Sequence, residues 1–149
     1  MKNLYKSKII IVEDNEFSRY LVYTKLKRAG YEYLEIPESS VEAWEDIAEA
    51  TVLGEPYDLV ITDLNMPDLD GMDLISKIKE DPMSTEIKII VISADAEQAI
   101  IDICMTLGAV AYMSKPVVES ELLAVVEAVL NGTEIPEIKG MFPPIPKVS

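Results

Sequence analysis

The chain has 149 residues, a length typical of one domain with a substantial core. Its 13 Lys and Arg residues against 27 Asp and Glu residues give a net charge of −14, which argues against nucleic acid or an anionic membrane as a direct partner. The absence of histidine excludes histidine-based metal sites, serine–histidine catalysis and a phosphohistidine on this chain.

The N-terminus and the single cysteine point to a cytoplasmic protein without disulfides. The first apolar run, Ile9 to Val12, is too short for a signal peptide or a transmembrane helix. Cys104 lies in an apolar helical stretch and has no second cysteine to pair with. We therefore expect Cys104 to be a small core residue.

Five apolar runs of strand length alternate with five segments of helical period. The predicted strands are 8–12, 33–36, 58–62, 87–92 and 110–113, and the predicted helices are 16–29, 39–52, 71–80, 96–107 and 118–130. This alternation is typical of βαβ units wound around a parallel sheet with helices on both faces. The sequence therefore predicts a doubly wound α/β fold.

The first helix shows a start signal, a stop signal and an apolar stripe. Asn15 can cap its N-terminus and Gly30 ends it. Phe17, Leu21 and Leu26 recur at helical spacing and predict its buried face.

The composition changes after Gly132. Residues 133–149 contain four of the nine prolines, which are incompatible with a continuing helix. We therefore divide the chain into a domain at 1–132 and a C-terminal tail or linker stub at 133–149. The apolar residues of the tail, among them Ile135, leave open whether it packs on the domain or on a partner.

Polar side chains follow four of the predicted strands at the points where the strands end. They are Glu13–Asp14, Asp63, Ser93 and Lys115. The carboxyl ends of parallel strands meet at one edge of a sheet, which is where open α/β folds bind ligands. Three carboxylates there would repel one another by about 4 kcal/mol per pair at an effective dielectric of roughly 20, so the cluster predicts a bound cation.

These residue types favour magnesium and phosphoryl chemistry. Carboxylates such as those of Asp14 and Asp63 suit a hard divalent cation that keeps several waters, with Glu13 nearby. A carboxylate at a strand end, such as that of Asp63, can attack phosphorus when a metal neutralises both anions. Lys115 offers a positive charge to phosphoryl oxygens, and Ser93 offers a hydroxyl.

The order of these motifs resembles that of response-regulator receiver domains, which share the fold of chemotaxis regulators. The resemblance runs from about Lys8 to Leu130 and rests on Glu13–Asp14, Asp63 followed by Met66–Pro67 and Gly71, Ser93–Ala94, Gly108–Ala109 and Lys115–Pro116. It implies a flavodoxin-like sheet of five parallel strands in the order 2-1-3-4-5, with five helices.

The resemblance also implies roles for the site residues. Asp63 would be the phosphoacceptor, and Ser93 and Lys115 would bind the phosphoryl group. Mg²⁺, or Mn²⁺ in its place, would be bound by Asp14, Asp63 and the backbone carbonyl of Asn65, with support from Glu13. The family more often has aspartate at the position of Glu13, so one acidic arm is longer here.

Switching and lifetime are assigned in the same way. Tyr112 would be the aromatic residue that turns inward as Ser93 moves toward the phosphoryl group. Asn65 and Asp95 stand two residues beyond Asp63 and Ser93, where we expect them to flank the path of an attacking water.

The implied protein is a signalling switch that catalyses its own phosphorylation and dephosphorylation. The donor would be the phosphohistidine of a sensor kinase or of a histidine phosphotransfer protein. With no predicted output domain in this sequence, the signal would leave by docking to a target or by homodimer formation, unless the sequence is an excised receiver. The expected surface combines the fourth helix, fifth strand and fifth helix.

An apolar patch on the fourth helix supports that surface. Ile100, Ile103, Cys104 and Leu107 recur at core spacing, which leaves Ile101 and Met105 on another side. Two such apolar groups predict a docking patch, and deeper burial of the helix is an equally simple alternative.

Three other functions compete with the phosphorylation switch. A receiver-like module that binds partners without being phosphorylated would share the fold. A flavodoxin-like electron carrier would need a donor-rich loop after the first strand, where this chain has acidic Glu13–Asp14. An aspartate-nucleophile phosphatase would want a second carboxylate two residues beyond Asp63, where Asn65 stands.

Overall fold

A computed structural model describes residues 3–95, 97–136 and 141–142. The strands are β1 (Lys8–Val12), β2 (Tyr33–Glu35), β3 (Leu59–Thr62), β4 (Lys88–Ser93), β5 (Ala111–Ser114) and β6 (Met141–Phe142). The α-helices are α1 (Glu16–Ala29), α2 (Ser40–Val52), α3 (Gly71–Glu80), α4 (Gln98–Leu107) and α5 (Glu119–Asn131), and a short 3-10 helix spans Leu4–Lys6. Residue 96, which we predicted to start the fourth helix, and residues 137–140 and 143–149 of the predicted tail lie outside the described residues.

The sheet confirms the predicted topology and adds one strand to it. Strands β2, β1, β3, β4 and β5 are neighbours in that order, and all four pairings between them are parallel. The sixth strand, β6, pairs antiparallel with β5. It comes from the tail, whose prolines gave no strand signal.

The helices bury both faces of the sheet. One face carries α2, α3 and α4, and the other carries α1 and α5. Neighbouring residues such as Ile10 and Ile11 therefore point into different cores. Burial on both sides explains why the central strands read as unbroken apolar runs rather than as an alternating pattern.

The predicted buried face of α1 is wrong in part. Leu26 is buried, but the side chains of Phe17 and Leu21 are 73% and 42% exposed. The helix is turned so that Arg19 is buried and Val22 packs on the core with Leu26. A charged residue can occupy that stripe because the Arg19 guanidinium donates a hydrogen bond to the backbone carbonyl of Glu13.

The predicted apolar patch on α4 is also wrong in part. Ile101 is buried in the core with Cys104, so it is not available for docking. Ile103, which we assigned to the core, is 45% exposed instead. The buried position of Cys104 agrees with the prediction, and burial raises the pKa of its thiol to about 11.

Within the described ranges, no helix is long and apolar enough to span a bilayer.

Two buried tyrosines make the stability of the fold sensitive to alkaline pH. Burial raises the pKa of Tyr31 and of Tyr57 to about 12, against 10.0 for a free phenol. Above pH 10 the phenols of the unfolded chain ionise while those of the folded chain stay protonated, which favours unfolding. We therefore expect the free energy of unfolding to fall between pH 10 and about 12, by on the order of 2 kcal/mol per tyrosine.

Urea unfolding of wild type and of Tyr57→Phe at pH values across this range would measure the effect. The variant should lose less stability than wild type on the alkaline side, because one ionising phenol is gone. Equal losses in the two proteins would contradict the assignment to Tyr57.

Candidate functional site

The loop after β1 is fixed by hydrogen bonds to its backbone. The Arg19 guanidinium donates to the carbonyl oxygen of Glu13 at 3.0 Å. The Asn15 amide donates to the Glu13 carboxylate at 3.2 Å, and the Asn15 side chain accepts from the Ser18 amide as the N-cap of α1. The Glu13 side chain is therefore held inward and buried, whereas Asp14 is exposed.

Asp63 is held at the end of β3 by its neighbours in the chain. Its amide donates to the carbonyl of Val12 at 3.0 Å, and its Oδ1 accepts from the Leu64 amide at 2.6 Å. Gly71 then packs directly against this turn, because a Cβ atom there would lie 2.2 Å from the Asp63 carbonyl oxygen. The turn can close only with glycine at that position.

Lys115 joins the two carboxylates. Its Nζ lies 2.8 Å from Asp63 Oδ2, and the same ammonium forms an ion pair with Glu13. Its backbone amide donates to the Ser93 carbonyl at 2.9 Å, which ties the ends of β4 and β5 together. The repulsion expected between the carboxylates is therefore relieved in part by Lys115, and Asp14 adds negative charge at the mouth of the site.

The ionisation of these groups follows from burial and pairing. Burial raises the pKa of the Glu13 carboxyl, and the hydrogen bond from Lys115 offsets only part of that effect. Burial alone would lower the pKa of Lys115, but its hydrogen bonds to Asp63 and Glu13 outweigh it, so the pKa is raised. Lys115 is therefore charged at neutral pH.

Ser93, Asp95 and Tyr112 form a second, connected group. Ser93 is fully buried and its Oγ accepts from the Asp95 amide at 3.2 Å. The Tyr112 hydroxyl donates to the Asp95 carbonyl at 2.6 Å, and the Tyr112 side chain is fully buried. Tyr112 is held in an inward position by this hydrogen bond and by the core around its ring.

Asn65 and Asp95 line one open cleft at the loop that follows Asp63. The cleft has a volume of about 460 Å³ and runs between the loop after β3 and the start of α4, and its wall also includes Met66, Pro67 and Ile100. Its wall also includes Leu64, the residue directly after Asp63. Asn65 itself is exposed.

The structure brings Glu13, Asp63 and Lys115 into contact and sets Ser93 beside them, while Asp14 and Asn65 stay at the exposed rim. Among the described residues, no three acidic, cysteine or histidine side chains are gathered as a ready-made metal site. The sequence analysis missed Arg19, and it named Gly71 only as part of a motif, without its close packing against the Asp63 turn. The signals that could have found them are a lone arginine within the first helix and a glycine directly after Asp70, which caps the N-terminus of α3.

Comparisons with known proteins agree with this geometry. The sequence profile of the response regulator receiver domain matches residues 9–127. The chemotaxis protein CheY1 of Helicobacter pylori is 34% identical over 130 residues, covering 85% of this chain and 99% of the relative. The osmosensing histidine protein kinase SLN1 of Saccharomyces cerevisiae is 31% identical over 121 residues, which cover 81% of this chain and 10% of the kinase.

Solved structures show the same fold. A response regulator receiver domain protein from Clostridium thermocellum superimposes with a TM-score of 0.75 at 25% identity, covering 85% of this chain and 95% of the other. The receiver domain of the sensor histidine kinase PA1611 from Pseudomonas aeruginosa, at 23% identity and a TM-score of 0.74, covers 85% and 98% and has a magnesium ion coordinated in its active site cleft. The chain belongs to the response regulator receiver family, the signalling domains of two-component systems that interact with histidine kinases and downstream effectors.

The close approach of Gly71 makes a sharp prediction. Gly71→Ala should lower the free energy of unfolding by about 3 kcal/mol, because its Cβ would overlap backbone atoms of Asp63 and Leu64 that cannot move aside. Gly54→Ala is the matched control, since it meets no atom within 4 Å and pays only for its left-handed backbone, roughly 1–2 kcal/mol. Urea unfolding measures both, and equal losses would contradict the steric argument.

Proposed function

We propose that this protein is a phosphorylation-activated switch of a two-component phosphorelay that accepts a phosphoryl group on Asp63 from the phosphohistidine of a partner. The observation that carries the proposal is the Asp63 carboxylate at the end of β3, with one oxygen fixed by the Leu64 amide and the other facing Lys115. In the reaction the phosphorus–nitrogen bond of the donor breaks, a phosphorus–oxygen bond to Asp63 forms, and the imidazole leaves with the electron pair.

The residues around Asp63 support that chemistry. Lys115 is charged and lies next to the carboxylate, so it can stabilise the negative charge of the incoming phosphoryl oxygens. The Ser93 hydroxyl stands at the end of the adjacent strand and can bind the same oxygens. The protein is then a phosphoacceptor that catalyses its own phosphorylation and dephosphorylation, rather than an enzyme that turns over a small molecule.

The donor set fits a hard divalent cation. It consists of oxygen atoms. Mg²⁺ commonly takes one or two carboxylates and keeps several waters, so a preformed cluster of three acidic side chains is not required. Asp14, Asp63 and the backbone carbonyl of Asn65 would hold Mg²⁺ or Mn²⁺, with Glu13 supporting it. The cation supplies charge neutralisation for attack by one anion on another.

The cleft beside Asp63 supports roles for Asn65 and Asp95 in the lifetime of the phosphoryl group. Both residues line this open cleft, together with Leu64, which directly follows Asp63 in the chain. Larger or more apolar side chains there should exclude attacking water and slow hydrolysis. Asp95 also contacts Ser93 and Tyr112, so its backbone links the lifetime and switching residues.

The signal would leave through the α4-β5-α5 surface. Tyr112 lies on β5, and its hydroxyl is bonded to Asp95 in the segment that leads into α4. A movement of Ser93 toward a phosphoryl group would therefore be felt in β5 and at the start of α4, and would shift a two-state surface. The partners would be a histidine kinase or phosphotransfer protein, a downstream target, and a second copy of the chain on phosphorylation.

The phosphoacceptor assignment is tested with acetyl phosphate and a divalent cation. Wild type should gain one phosphoryl group that is sensitive to hydroxylamine, and Asp63→Asn should gain none, because the amide is not a nucleophile. Asp68→Asn is the matched control, since Asp68 is exposed in the same loop and its left-handed backbone suits asparagine. Mass spectrometry would count the groups. Labelling of Asp63→Asn would overturn the assignment, and an unlabelled wild type would favour the binding-module alternative.

Magnesium binding should depend on Asp14. Asp14→Ala should weaken Mg²⁺ binding at least tenfold, about 1.4 kcal/mol, because Asp63 would remain as the only direct carboxylate ligand. Glu16→Gln removes an exposed carboxylate two residues away, at the start of α1, and should leave the affinity nearly unchanged. Isothermal titration calorimetry measures both, and equal affinities for wild type and Asp14→Ala would count against this ligand set.

A further inference from the structure

The tail strand β6 occupies the edge of the sheet that β5 would otherwise leave open. Met141 lies opposite Met113 and Phe142 lies opposite Tyr112, in antiparallel pairing. Without β6, β5 would be the last strand and its outward amide and carbonyl groups would have no strand partner. Such an edge is a template for the addition of another strand, from the same chain or from another one.

This edge lies in the middle of the proposed output surface. On one face of the sheet β5 is covered by α4, through the core that contains Tyr112 and Cys104. On the other face it is covered by α5, through the core that contains Met113 and Leu122. A strand on the outer side of β5 is therefore positioned between α4 and α5, and a partner that docks across both helices would meet it.

The first part of the tail is directed along this side of the domain. Ile135 is half-buried against the core that contains α5, and it lines a cleft of about 200 Å³ with Val110 and Val129. Val110 is the residue directly before β5. The chain thus passes the start of β5 only a few residues before Met141. A connection this short favours pairing within the chain, because it gives the segment a local concentration on the order of millimolar.

From this placement we infer that Met141–Phe142 is an intramolecular competitor for the strand-addition edge of β5. While the segment is paired, the α4-β5-α5 surface is closed to a partner that adds a strand there. Such a partner gains access only when the tail leaves. The consequence for signalling rests on the proposed output surface, whereas occupancy of the edge rests on the pairing of β5 with β6 alone.

A peptide with the tail's own sequence tests the inference in the full-length protein. The probe is a fluorescent peptide of residues Glu134 to Lys147, and the protein variant is Met141→Pro with Phe142→Pro, which removes both amide donors of β6. The variant should bind the peptide at least tenfold more tightly than wild type, because its edge is free. A peptide that carries the same two prolines should bind neither protein.

A conservative variant and amide exchange keep the experiment specific. Met141→Ile with Phe142→Tyr retains both amides and strand-forming side chains, so it should behave as wild type. Successive amides of β5 point to opposite neighbours, so one of Tyr112 and Met113 reports on β6 and the other on β4. The outward amide alone should exchange faster in the proline variant.

Three outcomes would overturn the inference. Equal peptide binding by wild type and the proline variant would show that the tail does not occupy the edge. Failure of the peptide to bind the folded proline variant would show that the edge does not accept a strand. In wild type, the outward amide could become better protected from hydrogen exchange as the protein concentration rises. That result would show that β6 pairs with β5 of a second copy. The phosphoryl group enters none of these measurements, so they can fail independently of the proposed function.

Discussion

The ion pairs of Lys115 with Glu13 and Asp63 are the interaction on which the site depends. The ammonium stands where the ends of β1, β3 and β5 meet, and it makes the burial of two carboxylates tolerable. Buried charges are costly unless they are paired, and removal of one partner leaves the other uncompensated. The same contact places the positive charge of Lys115 next to Oδ2 of Asp63, while Oδ1 accepts the hydrogen bond from the Leu64 amide. Charge balance and the proposed chemistry therefore rest on one side chain.

Backbone contacts give this arrangement its precision. Arg19 fixes the loop that carries Glu13, and the close packing of Gly71 fixes the loop that carries Asp63. Neither residue bears a proposed chemical role. A site of this kind needs its reactive groups held by rigid elements and by a supporting set of hydrogen bonds, because small displacements are costly in rate. The strand ends provide the rigid elements, and the loop contacts provide the support.

Strand β5 connects the site to the surface. It ends beside Lys115, it carries Tyr112 with its bond to Asp95, and it pairs with β6 along its outer edge. A change at the proposed phosphoryl site and a change at the edge would therefore act on the same four residues, Ala111–Ser114. Thermodynamic linkage makes such an influence reciprocal, so a segment bound at the edge would also act on the site.

The sequence alone determined the order of elements, the parallel sheet and the polar residues at its strand ends, because period and strand-end position are local properties of the chain. Tertiary structure decided which stripe of each helix is buried. Apolar residues stood on more than one side of the helix in α1, with Phe17 and Leu21, and in α4, with Ile101 and Ile103. The rotation of a helix about its axis is set by what packs against it, so the sequence could not choose between these sides. Tertiary structure also decided that Lys115 reaches both carboxylates and that a proline-rich tail adds a strand, because both contacts join residues far apart in sequence.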